Sequence, residues 1–198
     1  GLTGLEMGSD IAGSIRNPAA HCGLFGHKPT MGICSTLGHT LHENVAPIDM
    51  LVIGPLARSA ADLAVGLSAI VGFDEVDSAG LRISLPPPQR KRLDEYRVSI
   101  LVDDETVPLT RDIVALQQKL SDFLKSSKVS VEIGARPDFD ADEAHRLYDI
   151  MLRAPPSARQ TDAEFDANTA RRDALSPGDD SKWARMLRGM TLSHRDWT

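Results

Sequence analysis

An α/β fold, a mixed β-sheet covered by helices, is predicted by three features of this 198-residue chain. Residues 97–133 read as strand, helix, strand. Short apolar segments near the start are punctuated by Gly and Pro at the spacing of tight turns. Charge is unevenly divided: residues 1–80 carry 11 Asp, Glu, Lys and Arg side chains and residues 81–198 carry 39. The first part is therefore expected to be mostly interior, and the second to supply solvated helices and strands around it.

Taken in order, Leu2 to Met7 is expected to form a short strand that runs into a loop around Ser14. Gly23, Gly26, Pro29, Gly32 and Gly38 then break the chain into short strands and turns. Ser59, with Asp62 three residues on, opens a helix whose Leu63, Leu67, Ile70 and Val71 form an apolar stripe and which Gly72 ends. The run Leu85-Pro86-Pro87-Pro88-Gln89-Arg90-Lys91-Arg92 reads as a solvated linker, since prolines supply no N–H and the basic cluster prefers water.

The β-α-β unit follows. Val98, Ile100 and Val102 alternate as a strand, and Thr110 caps a helix. Its Ile113, Leu116, Leu120, Phe123 and Leu124 share one face, and Val129, Val131 and Ile133 alternate again. Two strands bridged by a helix pair in parallel. Asp140 with Glu143 opens another helix carrying Leu147, Ile150 and Met151, which Pro155-Pro156 stops. Ser157 to Asp180 is polar and reads as a long loop or a weak helix, and a last helix carries Trp183, Met186, Leu187 and Met190.

Composition narrows the function classes. A formal net charge of −6 argues against a nucleic-acid surface, which needs a basic face. No apolar run approaches the about 20 residues of a membrane span, so no membrane partner is expected. Cys22 and Cys34 offer neither a disulfide framework nor a metal spacing, and they suit a reducing, cytoplasmic compartment. His39 and His42 lack a third ligand at hand, so no metal is expected, and no cofactor.

The chemistry concentrates in Gly8-Ser9-Asp10-Ile11-Ala12-Gly13-Ser14-Ile15-Arg16-Asn17-Pro18-Ala19-Ala20. Ser14 follows small residues in a turn where backbone N–H groups converge, a setting that suits a nucleophile with an oxyanion hole. It does not fit the Gly-x-Ser-x-Gly elbow, and on spacing alone a turn or helix-cap serine explains it as well. Asp10 and Arg16 are placed to form an ion pair. His21 and His27 are better read as packed or surface residues than as a base, and Lys28 as structural.

Asp10-Ile11-Ala12-Gly13-Ser14-Ile15-Arg16-Asn17-Pro18-Ala19 resembles the core of the amidase signature family. Cys22-Gly23-Leu24-Phe25-Gly26-His27-Lys28-Pro29-Thr30 with Gly32 is similar to the family's next block, and Gly54-Pro55-Leu56-Ala57-Arg58-Ser59 with Asp62 to a third. The resemblance is firm over residues 1–80, a signature core; residues 81–198 would be the peripheral part of the same single domain.

It implies hydrolysis of a small-molecule carboxylic amide through an acyl-enzyme on Ser14. The N–H groups of Ile11, Ala12, Gly13 and Ser14 would form the oxyanion hole, and Ser9, Asp10 and Arg16 would hold the loop. Ala12 stands where the family usually has glycine, and would be strained by about 1–2 kcal/mol if its φ were positive. The family's base is a lysine acting through a serine held by a cis peptide, and both precede the nucleophile. Residues 1–13 contain no lysine. The chain is thus expected to be the central part of a longer hydrolase, inactive alone, with apolar surface exposed; a homo-oligomer is compatible. The alternatives are a non-catalytic interaction module of the same fold, or the amidase subunit of a tRNA-dependent amidotransferase.

Overall fold

β1 (Leu5–Asp10) runs antiparallel to β3 (Val52–Ala57), in register from Leu5 opposite Ala57 to Asp10 opposite Val52. The structure, a computed structural model, describes residues 2–39, 48–101 and 108–197. On the other side of β3 lies β2 (Phe25–Gly26), giving the sheet order β1-β3-β2. β2 is short for a chemical reason. His27 N–H donates to the Pro55 carbonyl at 3.0 Å, but Pro55 has no N–H to return, so the ladder cannot continue.

Between β1 and β2 stands α1 (Arg16–Cys22), a helix that the turn-rich reading of this stretch missed. Gly23 closes it in the left-handed conformation, φ +64°, and Leu24 N–H donates to the Ala19 carbonyl at 2.8 Å. α2 (Ala60–Ile70) begins as expected, with Ser59 Oγ accepting from Asp62 N–H at 3.1 Å. Its stripe of Leu63, Leu67 and Ile70 is half-buried, and Gly66 is the buried residue of the helix. A Cβ there would lie 2.9 Å from Pro55 Cβ and 3.0 Å from Leu5 Cδ1.

Contacts group residues 1–84 with 141–198, and residues 85–140 separately. In the second group β4 (Arg97–Ile100) pairs in parallel with β5 (Ser130–Ile133) across α3 (Arg111–Ser126), the expected β-α-β unit. Ile100, Leu124 and Val129 form its core, with Val98 and Val131 packed against them. Val102 lies outside the described residues. Two expectations for α3 fail. Thr110 takes the N-cap position without a side-chain hydrogen bond. The apolar face is not what covers the sheet: Leu124 is buried, but Leu116 is 58% and Phe123 57% exposed. Ser121, three residues before Leu124, is buried beside it instead.

The C-terminal segment carries α4 (Ala141–Met151), α5 (Ala154–Ser157), α6 (Asp162–Asp173), α7 (Lys182–Met190) and α8 (His194–Trp197). α4 stops before the prolines; Pro155-Pro156 occupies the first turn of α5, where the missing N–H groups have no partner to lose. The polar stretch after Ser157 takes the helical alternative. Thr161 Oγ1 accepts from Glu164 N–H at 3.3 Å, while Glu164 Oε2 accepts from Thr161 N–H at 2.8 Å. α7 packs on α4, α5 and α6 through Ala184, Leu187 and Gly189, whereas Trp183, expected on that face, is 51% exposed. A Cβ at Gly189 would lie 2.3 Å from the Ile150 carbonyl oxygen, and Arg185 pairs with Asp149 at 3.0 Å. Among the described residues no helix is long and apolar enough to cross a membrane.

Candidate active site

Asp10, the last residue of β1, is fully buried. Its Oδ1 accepts from Gly13 N–H at 2.7 Å and from an Arg16 guanidinium nitrogen at 3.0 Å. Its Oδ2 accepts from Ile15 N–H at 3.2 Å, Arg16 N–H at 3.3 Å and Arg16 Nε at 3.0 Å. The carboxylate thus gathers the N–H groups at the start of α1, which a helix cannot satisfy internally. Burial alone would push its pKa up. The Arg16 side chain and the N–H groups of Gly13, Arg16 and Ile15 outweigh that and hold it well below the usual carboxylate range. The Asp10 contact in turn raises the pKa of Arg16, whose side chain stays 53% exposed.

Backbone geometry assigns the glycine requirement. Gly13 has φ +111°, and a Cβ on it would lie 2.8 Å from Asn17 Nδ2. Asn17 N–H donates to the Gly13 carbonyl at 2.7 Å, a contact the sequence reading did not anticipate. Among the described residues the only non-glycines at positive φ are Met50 and Lys128, so Ala12 carries no such strain.

Ser14 is exposed between buried Gly13 and buried Ile15. Ile11 is half-buried and Ala12 exposed in the turn that leads to it. Of the four N–H groups expected to face an oxyanion, that of Gly13 is engaged by Asp10 here. Among the described residues no protein acceptor is seen for those of Ala12 and Ser14. Ser9 sits half-buried in β1 opposite Ile53, and among the described residues its side chain makes no hydrogen bond to the loop.

Ile15, fully buried, joins the three resembling segments physically. Cβ atoms built at Gly8, Gly26 and Gly54 would lie 3.3 Å from its Cγ1, 3.2 Å from its Cγ2 and 3.0 Å from its Cδ1. The side chain next to Ser14 therefore rests on one glycine from each strand. Ile15→Val is expected to cost about 0.5–1.5 kcal/mol in urea denaturation, because one methyl of this contact is lost.

The remaining candidates are dispersed. His21 is exposed at the end of α1, and His27 and Lys28 are half-buried in the segment leading off β2. Cys22 is exposed and Cys34 buried, its thiol pKa pushed up by burial. His39 is exposed, and His42 lies outside the described residues.

The sequence profile of the Amidase family matches residues 1–195. A glutamyl-tRNA(Gln) amidotransferase subunit from Nostoc punctiforme is 32% identical over 180 residues, covering 88% of this chain and 34% of that protein. The protein of the same name from Gloeothece citriformis is 44% identical over 177 residues, with the same coverage. Among solved structures, the native peptide amidase of Stenotrophomonas maltophilia superposes with a TM-score of 0.58 at 24% identity, over 97% of this chain and 41% of that one. 6-Aminohexanoate cyclic dimer hydrolase gives 0.61 at 21% identity, over 99% and 41%. These two share the fold. The chain spans about one third of the length of the curated relatives it matches. With the profile running through nearly every residue and the three segments converging on Ile15, the chain belongs to the amidase family.

Proposed function

We propose that the protein hydrolyses carboxylic amides with Ser14 as the nucleophile. The observation that carries this reading is an exposed serine whose two neighbours are pinned through their N–H groups to one buried carboxylate. In the step proposed, Ser14 Oγ attacks the amide carbonyl carbon and its proton passes to the family's lysine base through the relay serine. The oxyanion meets the N–H groups of the Ile11–Ser14 turn, the C–N bond breaks as the amine leaves with a proton, and water cleaves the ester. Asp10 and Arg16 hold the turn, and Gly13 closes it. Free Cys22 and Cys34 and the acidic balance support a cytoplasmic enzyme acting on small-molecule amides rather than nucleic acid.

The reading places the lysine base before Ser14 in sequence, and residues 1–13 hold no lysine. A fluorophosphonate probe tests the assignment. The 198-residue chain is expected to label slowly. A polypeptide extended upstream through the family's base segment should label at Ser14 about 10²–10⁴-fold faster, the usual worth of a general base. Ser14→Ala should abolish that labelling. Modification of another residue at the faster rate would sink the assignment.

The relatives named as amidotransferase subunits favour a second reading, in which the amide is a nitrogen donor and the protein works within an assembly. Amide-nitrogen release that appears only with further subunits present would favour it over a free-standing hydrolase.

A further inference from the structure

A cavity of about 520 Å³, open to solvent, lies far along the chain from Ser14 and is lined from the segments of α5, α6 and α7. Arg153, Gln160, Asn168 and Arg171 supply polar lining, and Ala167 and Met190 apolar lining. The lining amides are ordered in a relay. Arg171 donates to Asn168 Oδ1 at 3.0 Å, Asn168 Nδ2 donates to Gln160 Oε1 at 2.7 Å, and Gln160 Nε2 donates to the Met190 carbonyl at 2.9 Å. Both amide oxygens thereby accept a hydrogen bond, and Asn168, Arg153 and Arg171 keep further N–H groups that can donate.

Charge points the same way. Six guanidinium groups of this acidic chain pair with a carboxylate, those of Arg16, Arg92, Arg146, Arg172, Arg185 and Arg195. Among the described residues Arg153 and Arg171 form no ion pair. The one carboxylate on the lining, Glu164, is held at the start of α6, its Oε2 accepting from both the N–H and the hydroxyl of Thr161. Two guanidinium groups without an ion pair, sharing a cavity with apolar lining, match a planar anion attached to a short hydrocarbon body.

We propose that this cavity binds a small organic carboxylate, its anionic head between Arg153 and Arg171 and its alkyl chain on Ala167 and Met190. The site is separate from the Ser14 turn and does not depend on the reading of that turn.

The test titrates the 198-residue chain with butanoate, butanamide and inorganic phosphate, followed by NMR chemical-shift changes. Butanoate is expected to saturate, with shifts confined to α5, α6 and α7, while butanamide and phosphate bind at least about tenfold more weakly, since each lacks either the charge or the alkyl body. Arg171→Gln, at an exposed position, should weaken butanoate about tenfold, and Arg171→Lys should recover part of the loss. Arg153→Gln should act in the same direction with an unchanged far-UV spectrum. The proposal is overturned by equal binding of butanamide, by equal binding of phosphate, by indifference of butanoate to Arg171→Gln, or by failure of butanoate to saturate.

Discussion

Replacing Asp10 with alanine is expected to destabilise the fold by about 3–5 kcal/mol, since three N–H groups lose their acceptor at about 1–3 kcal/mol for each one left buried. The loss is not chiefly that of the ion pair, because Arg16 is half in water and can be rehydrated. It comes from the N–H groups of Gly13, Ile15 and Arg16, which lose their acceptor at a site where Gly13 and Ile15 are themselves buried. Urea denaturation of wild type and Asp10→Ala measures it; a difference under about 1 kcal/mol would show that water replaces the carboxylate at little cost.

The same residue predicts a pH dependence. The native carboxyl titrates far below its unfolded value near 3.8, so in acid the unfolded chain binds the extra proton first. Asp10 therefore contributes fully above about pH 4, and its contribution fades as pH falls below that toward the native value. Asp10→Asn should flatten this part of the acid limb. An unchanged acid profile in that variant would refute the assignment.

Gly54→Ala is the second large effect, expected to cost about 3 kcal/mol or more. The new Cβ would lie 2.2 Å from the His27 carbonyl oxygen, 2.6 Å from Pro29 Cδ and 3.0 Å from Ile15 Cδ1. The first two belong to backbone and a proline ring, which cannot rotate away, so β3 and the segment after β2 must part. That movement removes the floor beneath Ile15, and Ser14 reactivity should fall with stability. Gly23→Ala is the control: nothing lies within 4 Å of its Cβ position, leaving only the left-handed backbone to strain, about 1–2 kcal/mol. Equal losses in the two variants would mean that the crowding at Gly54 is relieved at little cost.

Local chemistry was readable where donor and acceptor lie close in sequence. The Ser59–Asp62 cap, the alternation of Val98 and Ile100, and the Asp10–Arg16 pair all follow from spacings of six residues or fewer. The Thr161–Glu164 capping box carried the same kind of signal and went unread because the surrounding residues are polar. α1 was hidden for another reason. No side-chain cap marks its start, since its N–H groups are met by Asp10 from the preceding strand. The packing of Ile15 on Gly8, Gly26 and Gly54 is illegible without strand pairing, because it joins residues up to 46 positions apart only once β1, β2 and β3 are side by side. The exposed Leu116 and Phe123 show the converse: helical spacing says which residues share a face, not which face meets the sheet.

The two oxygens of Asp10 have a kinetic consequence for the residue between their partners. Gly13 N–H holds one oxygen and Ile15 N–H the other, and the Gly13 carbonyl accepts from Asn17 N–H, so the peptide units on both sides of Ser14 are tethered before any ligand arrives. The hydroxyl then has little left to search except rotation about its own Cα–Cβ bond, a three-fold torsion instead of a wandering loop. Ordering that other loops must undergo on each encounter is here completed once, during folding, and every later collision meets an oxygen already confined to a few positions.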